Sequence, residues 1–591
     1  MSKRRKKPSP ERARARTADS ARPTRASVGS SSWVWLPAAL GTLAVYWSTT
    51  GFRFLLDDVF LFQNSASLHN LSSIGQGFVA DIGAVRQGAA MTQGGFYRPI
   101  FLALSTLYFQ VVGPSPLAWH LAAVVLAAAV AALAAAFLRR LGFLPLPALL
   151  GALVFALHPS HVGSVAWVSG IQEQLAALFA FVALLALLSP GAKEHPRRAL
   201  TVATLAFALA LLSKEVAIAL APLVAVWAWS ERRGDPAEAR RWRHASALFG
   251  AVAIVYLAVR WAVFGALVKP WTEAPGFARA APSVPLAFVT YVRMLLWPAE
   301  FSFVRPERPV WGWLDRPALL SAAALAVLGV LAYLAVRRRR ELLLPVAWFV
   351  VWLLPVMSLW AMFPEWMVTD RYLYLPALAL PWALLIVLPR QALTPALAAI
   401  AILFALLTLR YAAVFATPKT FSTAMLSAEP TSTWMLDERA RVYMVEGNPR
   451  AAEDLFRRAI ALDPLDAYAL WKIGSFETTR GEFDAAKEHY RQAVVQEPRN
   501  SEPFTTLAYA MAKAGQRENA LALLEETVGR WPDQYEPALL QAVLLTQAGD
   551  RARAETAFAA ARRARPNDPV LSQGLERAIP TLIEELGLGV H

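Results

Sequence analysis

The residues of this chain that could do chemistry stand at the ends of apolar runs. Asp57 and Asp58 lie side by side in FLLDDVFLFQ, just beyond the hydrophobic run 33–51. Arg98 in YRP, Lys214 with Glu215 in SKE, and Asp370 with Arg371 in TDRY follow at other run ends, as do His158 and His161 in HPSH and Glu173 in GIQE. Carboxylates accept protons, cations hold anions and imidazoles carry protons or ligate metals. Each residue alone also reads as an anchor marking the water side of a helix end. Together they say more, because charges beside apolar runs are costly unless paired or solvated and commonly line a cavity. Lys214-Glu215 is the sharpest case: it breaks some thirty apolar residues and implies a tight turn between two helices. His158 and His161, three apart, could share a helix face and bind a metal. No cysteine or third nearby ligand completes that set, so HPSH reads as a proline-bent turn with one histidine hydrogen-bonded, and any metal stays unknown.

The elements that position these residues follow from composition. Of the 591 residues, 56% are hydrophobic and 17% charged, with a mean hydropathy of +0.39. That is too apolar for one soluble domain. About eleven runs before residue 415 approach membrane-span length, near 33–51, 116–138, 144–158, 171–189, 199–213, 216–230, 246–266, 318–336, 342–360, 372–389 and 394–413. The formal charge of +15 does not point to nucleic acid. With residues 1–32 read as a disordered basic cytoplasmic tail, every internal basic cluster falls on the same side as that tail: Arg139-Arg140, KEHPRR, the 231–244 stretch, the arginines at 337–340 and Arg390. The chemistry-bearing residues then share the extracytoplasmic side, with the loops 52–98 and 267–316. The second loop, rich in Trp and Pro, is expected to lie along the membrane interface. Absence of cysteine excludes disulfides and thiolate chemistry. No phosphate-binding Gly loop or GxSxG elbow is present, which counts against soluble nucleotide and serine-hydrolase chemistry.

The last third changes character. Gly447, Gly481, Gly515 and Gly549 recur at one spacing, 34 residues, and so do Ala452, Ala486, Ala520 and Ala554, and Pro464, Pro498, Pro532 and Pro566. Phe456, Tyr490, Leu524 and Phe558 stand four after each alanine, on the same helix face. Each unit reads as two helices with glycine at the turn, small alanine where helices touch and proline past the second helix. After a linker at 416–432, residues 433–566 resemble four tetratricopeptide repeats, with a capping helix and tail over 567–591. In that family the first helices line a concave groove, which here implies Trp434, Asp437, Tyr468, Trp471, Thr505 and Tyr509, each equally open to a packing role.

The fold class expected is therefore all-α: a polytopic helix bundle over 33–415, then a repeat solenoid. Within it LLDDVFLF, GGFYRPIFLALSTLYF, FALHPSHVGSVAWVSGIQEQLAALFAFVALLAL, LLSKEVAIALAPLVAVW and VTDRYLYLPALAL occur in the order found in the transmembrane and tetratricopeptide-repeat O-mannosyltransferases and their bacterial relatives. The chain resembles these members of the GT-C superfamily over most of 33–566. The resemblance implies an inverting glycosyltransferase of the bacterial cytoplasmic membrane. It would move a sugar such as mannose from a polyprenyl-phosphate donor to a protein or glycan hydroxyl, with the repeats recruiting the acceptor. By the same resemblance Asp57 or Asp58 is the general base. Arg98, Lys214 and Arg371 bind the lipid phosphate, with Glu215 and Asp370 beside them, and a divalent cation is left open. One departure stands out. Relatives usually read HPxHxE, whereas the glutamate position here is Gly163, and Glu173 is the carboxylate that could compensate. That departure motivates a second expectation, an inactive membrane-anchored repeat scaffold that binds protein partners. A transporter is the weaker third reading.

Overall fold

A computed structural model describes residues 32–63, 66–80, 95–268, 276–300, 302–303, 309–361, 367–496, 501–564, 571 and 574–575. The N-terminal tail and nearly all of the expected capping segment lie outside them, as do Pro498 and Pro566. Among the described residues the chain is helical, with no β-strand.

All eleven apolar runs fall on helical structure. Among the described residues seven helices are long and apolar enough to cross a membrane: Pro116–Arg140, Val168–Leu187, Pro196–Ser213, Pro236–Phe264, Arg316–Arg338, Arg340–Met357 and Arg390–Ala416. An eighth is added if Pro145–Ala156 and Pro159–Val165, bent by 51° at HPSH, count as one. The count of about eleven is thus not reached by continuous long helices. The run 33–51 divides into Ser32–Val34, Trp35–Tyr46 and Trp47–Gly51, and 216–230 into Glu215–Ala219 and Leu220–Glu231. Starts follow local rules: Pro116 opens its helix at a position needing no N–H, and the Ser115 side chain accepts from Ala118 N. The core is aromatic, with Phe137 at 5.4 to 6.2 Å from the rings of Phe181, Trp227, Trp348 and Trp382. Such offset and edge contacts fix ring orientation beyond simple area burial.

One unassigned segment and two expected as loop or linker carry helices. Pro99–Val112 is a helix that the sequence reading passed over. The 267–316 loop contains Val284–Leu296, whose Ala287, Tyr291, Met294 and Leu295 are buried. This helix is packed on the bundle, as apolar side chains at its helical spacing dictate. The 416–432 linker holds Pro418–Ala428, started by a capping box between Thr417 and Thr420.

The repeats form four helix pairs, from Thr433–Val445 with Pro449–Leu462 to Tyr535–Gln547 with Arg551–Ala564. Gly447, Gly481, Gly515 and Gly549 all have φ between 74° and 82°, the left-handed conformation that ends a helix cheaply only at glycine. Ala452, Ala486, Ala520 and Ala554 are fully buried, and Phe456, Tyr490, Leu524 and Phe558 fill the space beside them. Close approach extends to Gly474, where an added Cβ would stand 2.5 Å from the Tyr490 ring.

Candidate functional site

The chemistry-bearing residues converge because their helices end at one place. After Trp47–Gly51 the chain turns at Leu56, whose φ of 49° is unusual for a side chain branched at Cγ and marks local strain. That turn is locked by Asp58, which is fully buried. Asp58 Oδ1 accepts from Ser169 N at 2.8 Å and Ser169 Oγ at 2.6 Å, and Oδ2 from Val168 N at 3.3 Å and Leu55 N at 3.4 Å. Burial drives its pKa up to about 7 against the opposing bonds from Ser169 and Leu55. Asp58 therefore ties the first turn to the start of Ile171–Leu187, and its oxygens are spent on protein donors. Of the two aspartates, Asp58 is fully buried and Asp57 half-buried.

Two ion pairs occupy the centre. Arg98 grips Glu215 with both prongs, Nε to Oε2 at 2.8 Å and Nη2 to Oε1 at 2.5 Å, and its Nη1 donates to Gln172 Oε1. Lys214 Nζ pairs with Glu173 Oε1, both side chains being 5–6% exposed. Burial pulls the Lys214 pKa down to about 8; Glu173 opposes this, while Arg98 and Arg371 reinforce it. Glu215 lies far below the usual carboxylate range: burial alone would raise it, but Arg98, then Arg260 and Lys214, outweigh that. Arg371 sits with its guanidinium carbon 5.3 Å from the Trp167 ring centroid and 5.4 Å from that of Tyr372. Its pKa is pushed up, burial being outweighed by Tyr372 and Glu173, with Asp57 a further contributor. Asp370 is buried beside it. Glu173, Lys214, Arg371 and Tyr372 face a cavity of about 20 Å3, room for one water-sized molecule.

Above this centre Tyr291 of Val284–Leu296 takes Thr369 N at 3.3 Å, so the loop helix holds the TDRY segment. His158 does not pair with His161 toward a metal. The His158 Nε2 stands 3.3 Å from Leu295 O and its Nδ1 2.8 Å from Ser160 Oγ, while His161 Nε2 is 3.0 Å from Tyr374 O. Both imidazoles thus serve the turn, where one was expected to. Among the described residues no group of three or more His, Cys, Asp or Glu is placed to hold a metal ion.

A Cβ at Gly163 would meet the Phe303 ring at 3.5 Å, an ordinary contact, so Phe303 lies beside this position without requiring glycine there. Phe303 also packs on Trp167 at 5.1 Å, Phe421 at 5.6 Å, Phe415 at 6.0 Å and Trp434 at 6.2 Å. Trp434, half-buried, packs one face against the bundle, the packing role left open for it, and Asp437 is 8% exposed. Tyr468, Trp471, Thr505 and Tyr509 stay half-buried on first helices, with Lys472 Nζ 3.9 Å over the Trp471 ring and Lys513 5.6 Å over Tyr509.

Sequence reading missed Gln172, Ser169, Phe303 and Arg260. Arg260 left a signal, a cation inside the apolar run 246–266, the criterion applied to Lys214. The others carry no local signal.

Comparison with known proteins speaks to the repeats. A family model described as tetratricopeptide repeat matches residues 438–502 and 505–569. No curated protein matches the chain. Similar solved structures include the crystal structure of MamA, 21% identical over 24% of this chain and 85% of that one, with a TM-score of 0.22. YrrB, described as a tetratricopeptide-repeat protein with an unusual peptide-binding site, is 17% identical over 29% and 85%, TM-score 0.22. PilF of Pseudomonas aeruginosa is 20% identical over 30% and 81%, TM-score 0.24. The C-terminal part of the chain is built from tetratricopeptide repeats, a fold that generally mediates binding to proteins or peptides.

Proposed function

We propose that the chain is a membrane glycosyltransferase that moves a sugar from a polyprenyl-phosphate donor to a hydroxyl acceptor on the extracytoplasmic side. The observation that carries this reading is the gathering of Arg98, Lys214 and Arg371 around Glu173 and Glu215, with Arg371 within electrostatic reach of Asp57. Three buried cations at the end of a helix bundle, two of them held by Glu215 and Glu173, form a place where an anion can exchange for a carboxylate. The acceptor hydroxyl attacks the anomeric carbon and gives its proton to Asp57. The bond from that carbon to the phosphate oxygen breaks, and the lipid phosphate leaves with the bonding electrons, its added charge held by the cations. Direct attack inverts the anomeric centre. The repeats would bring a protein or peptide acceptor to this side, and a basic tail would hold the N-terminus in the cytoplasm of a bacterial inner membrane. Sugar transfer from a lipid-linked donor by detergent-purified chain tests this: Asp57→Asn abolishes it, and full activity in that variant removes the base.

A second reading is favoured by two specific observations. The cations already hold glutamates, and Phe303 lies beside Gly163, where relatives carry glutamate. On that reading the bundle anchors the repeats and performs no transfer. A ligand that binds the folded state raises its stability, so the lack of any thermal shift with polyprenyl-phosphate sugars would favour the scaffold.

A further inference from the structure

One cation near the site belongs to none of the motifs. Arg260 stands near the end of Pro236–Phe264 and is 7% exposed. An arginine inside an apolar helix is costly unless its donors find acceptors. Two of its nitrogens do: Nε donates to Leu267 O at 2.6 Å and Nη2 to Gly95 O at 2.9 Å. The guanidinium carbon lies 5.1 Å from the Phe264 ring centroid. Nη1 is buried and makes no well-formed hydrogen bond among the described residues, although the Tyr256 hydroxyl lies close enough to the guanidinium to interact with it.

The Nη2 bond bears on one of the site cations, Arg98. Gly95 leads through Phe96 and Tyr97 into Arg98, and the Tyr97 ring packs on Tyr256 and Phe264 of the Arg260 helix at 6.0 and 6.4 Å. The helix that carries Arg260 thus fixes the segment that delivers Arg98. Glu215, gripped by Arg98, is stabilised as a carboxylate by Arg260 as well. Two guanidinium groups therefore act on one glutamate, and among the described residues the Nη1 of Arg260 has no well-formed hydrogen bond.

We propose that Arg260 is a fourth anion-holding residue of this site, giving Nη1 to a phosphate oxygen of a polyprenyl-phosphate ligand while Nε and Nη2 remain on the backbone. This rests on the donor class proposed above and adds a residue to it. Glu215 holds the position between the two arginines until phosphate replaces it. Arginine suits the task because its rigid planar fork spreads its donors, so that two can stay on separate backbone carbonyls while a third points in a fixed direction, whereas the three donors of lysine share one nitrogen.

The test is thermal stabilisation of the full chain in detergent by farnesyl phosphate, with farnesol as the uncharged control. Wild type is stabilised by farnesyl phosphate and not by farnesol; Arg260→Gln weakens that affinity about tenfold or more, as loss of a charge-assisted bond does. Arg260→Lys falls between the two, and Glu215→Gln binds more tightly. If Arg260→Gln fails to fold, the lysine and Glu215 variants decide: unchanged affinity in both overturns the proposal. A purely structural Arg260 would lower the unliganded midpoint and leave the affinity for farnesyl phosphate intact, which also overturns it. Weakening by Lys214→Gln and Arg371→Gln but not by Arg260→Gln defeats this inference alone. No binding by wild type, or equal binding of farnesol, defeats the donor class and this inference with it.

Discussion

Replacing Asp58 by alanine takes the acceptor from four donors, Leu55 N, Val168 N, Ser169 N and Ser169 Oγ. A buried donor left unmade costs about 1–3 kcal/mol, less for the two long bonds, so the total loss is about 3–5 kcal/mol. Asparagine keeps one acceptor oxygen but turns an amide N–H toward Leu55 N and Val168 N, and costs about 1–3 kcal/mol. Acidity gives an independent handle. The folded-state pKa of about 7 lies above the ordinary 3.8, so the native chain holds this proton more tightly than the unfolded one. Its contribution to stability is fully present below pH 3.8, declines by up to about 1.4 kcal/mol per pH unit as pH rises through the window to about 7, and levels off above. Asparagine has no such proton, so that decline disappears from its profile. The assay is the midpoint of thermal unfolding in detergent, stepped from about pH 4 to about pH 8, for wild type and both variants. Asp58→Asn should also keep most sugar-transfer activity, because Asp58 only positions the turn. An alanine variant as stable as wild type, or an asparagine variant with the same pH profile, would refute the bracing role.

Other outcomes follow from the same geometry. Lys214→Met leaves Glu173 buried without its partner and should cost about 3–5 kcal/mol, most of it recovered by adding Glu173→Gln; a double-mutant cycle on thermal midpoints checks this. Phe303→Ala empties the joint among Trp167, Phe421 and Trp434 and should cost about 3–5 kcal/mol while speeding proteolysis near 416–432, read by timed digestion. Gly481→Ala, at φ 79°, should lose about 1 kcal/mol, seen as a lower unfolding midpoint of the repeat transition.

The repeats were legible in the sequence because their constraints are local or recur at fixed spacing. A left-handed glycine, a small alanine and a neighbouring large apolar side chain are each set by the helix pair that contains them. Apolar runs marked the bundle helices for the same reason, although runs such as 33–51 and 216–230 hid the breaks into shorter turns that bring Asp57 and Lys214 to the site. What the sequence could not divide was the work of the two aspartates. Asp57 and Asp58 look alike until Ser169, 111 positions away, is seen bound to one of them. The packing of Trp434 was hidden for a similar reason: its partner Phe303 comes from a loop with no periodicity. Arg260 was readable, since a cation within an apolar run always calls for an explanation.

The most direct measurement is a structure of the full chain with a polyprenyl-phosphate sugar bound. The account predicts the phosphate within about 3 Å of Arg98, Lys214 and Arg371, at least one of the Glu215 and Glu173 pairs opened to admit it, and the Asp57 carboxylate facing the anomeric carbon from the opposite side. A donor bound elsewhere on the bundle, or a phosphate that leaves both ion pairs intact, would contradict it.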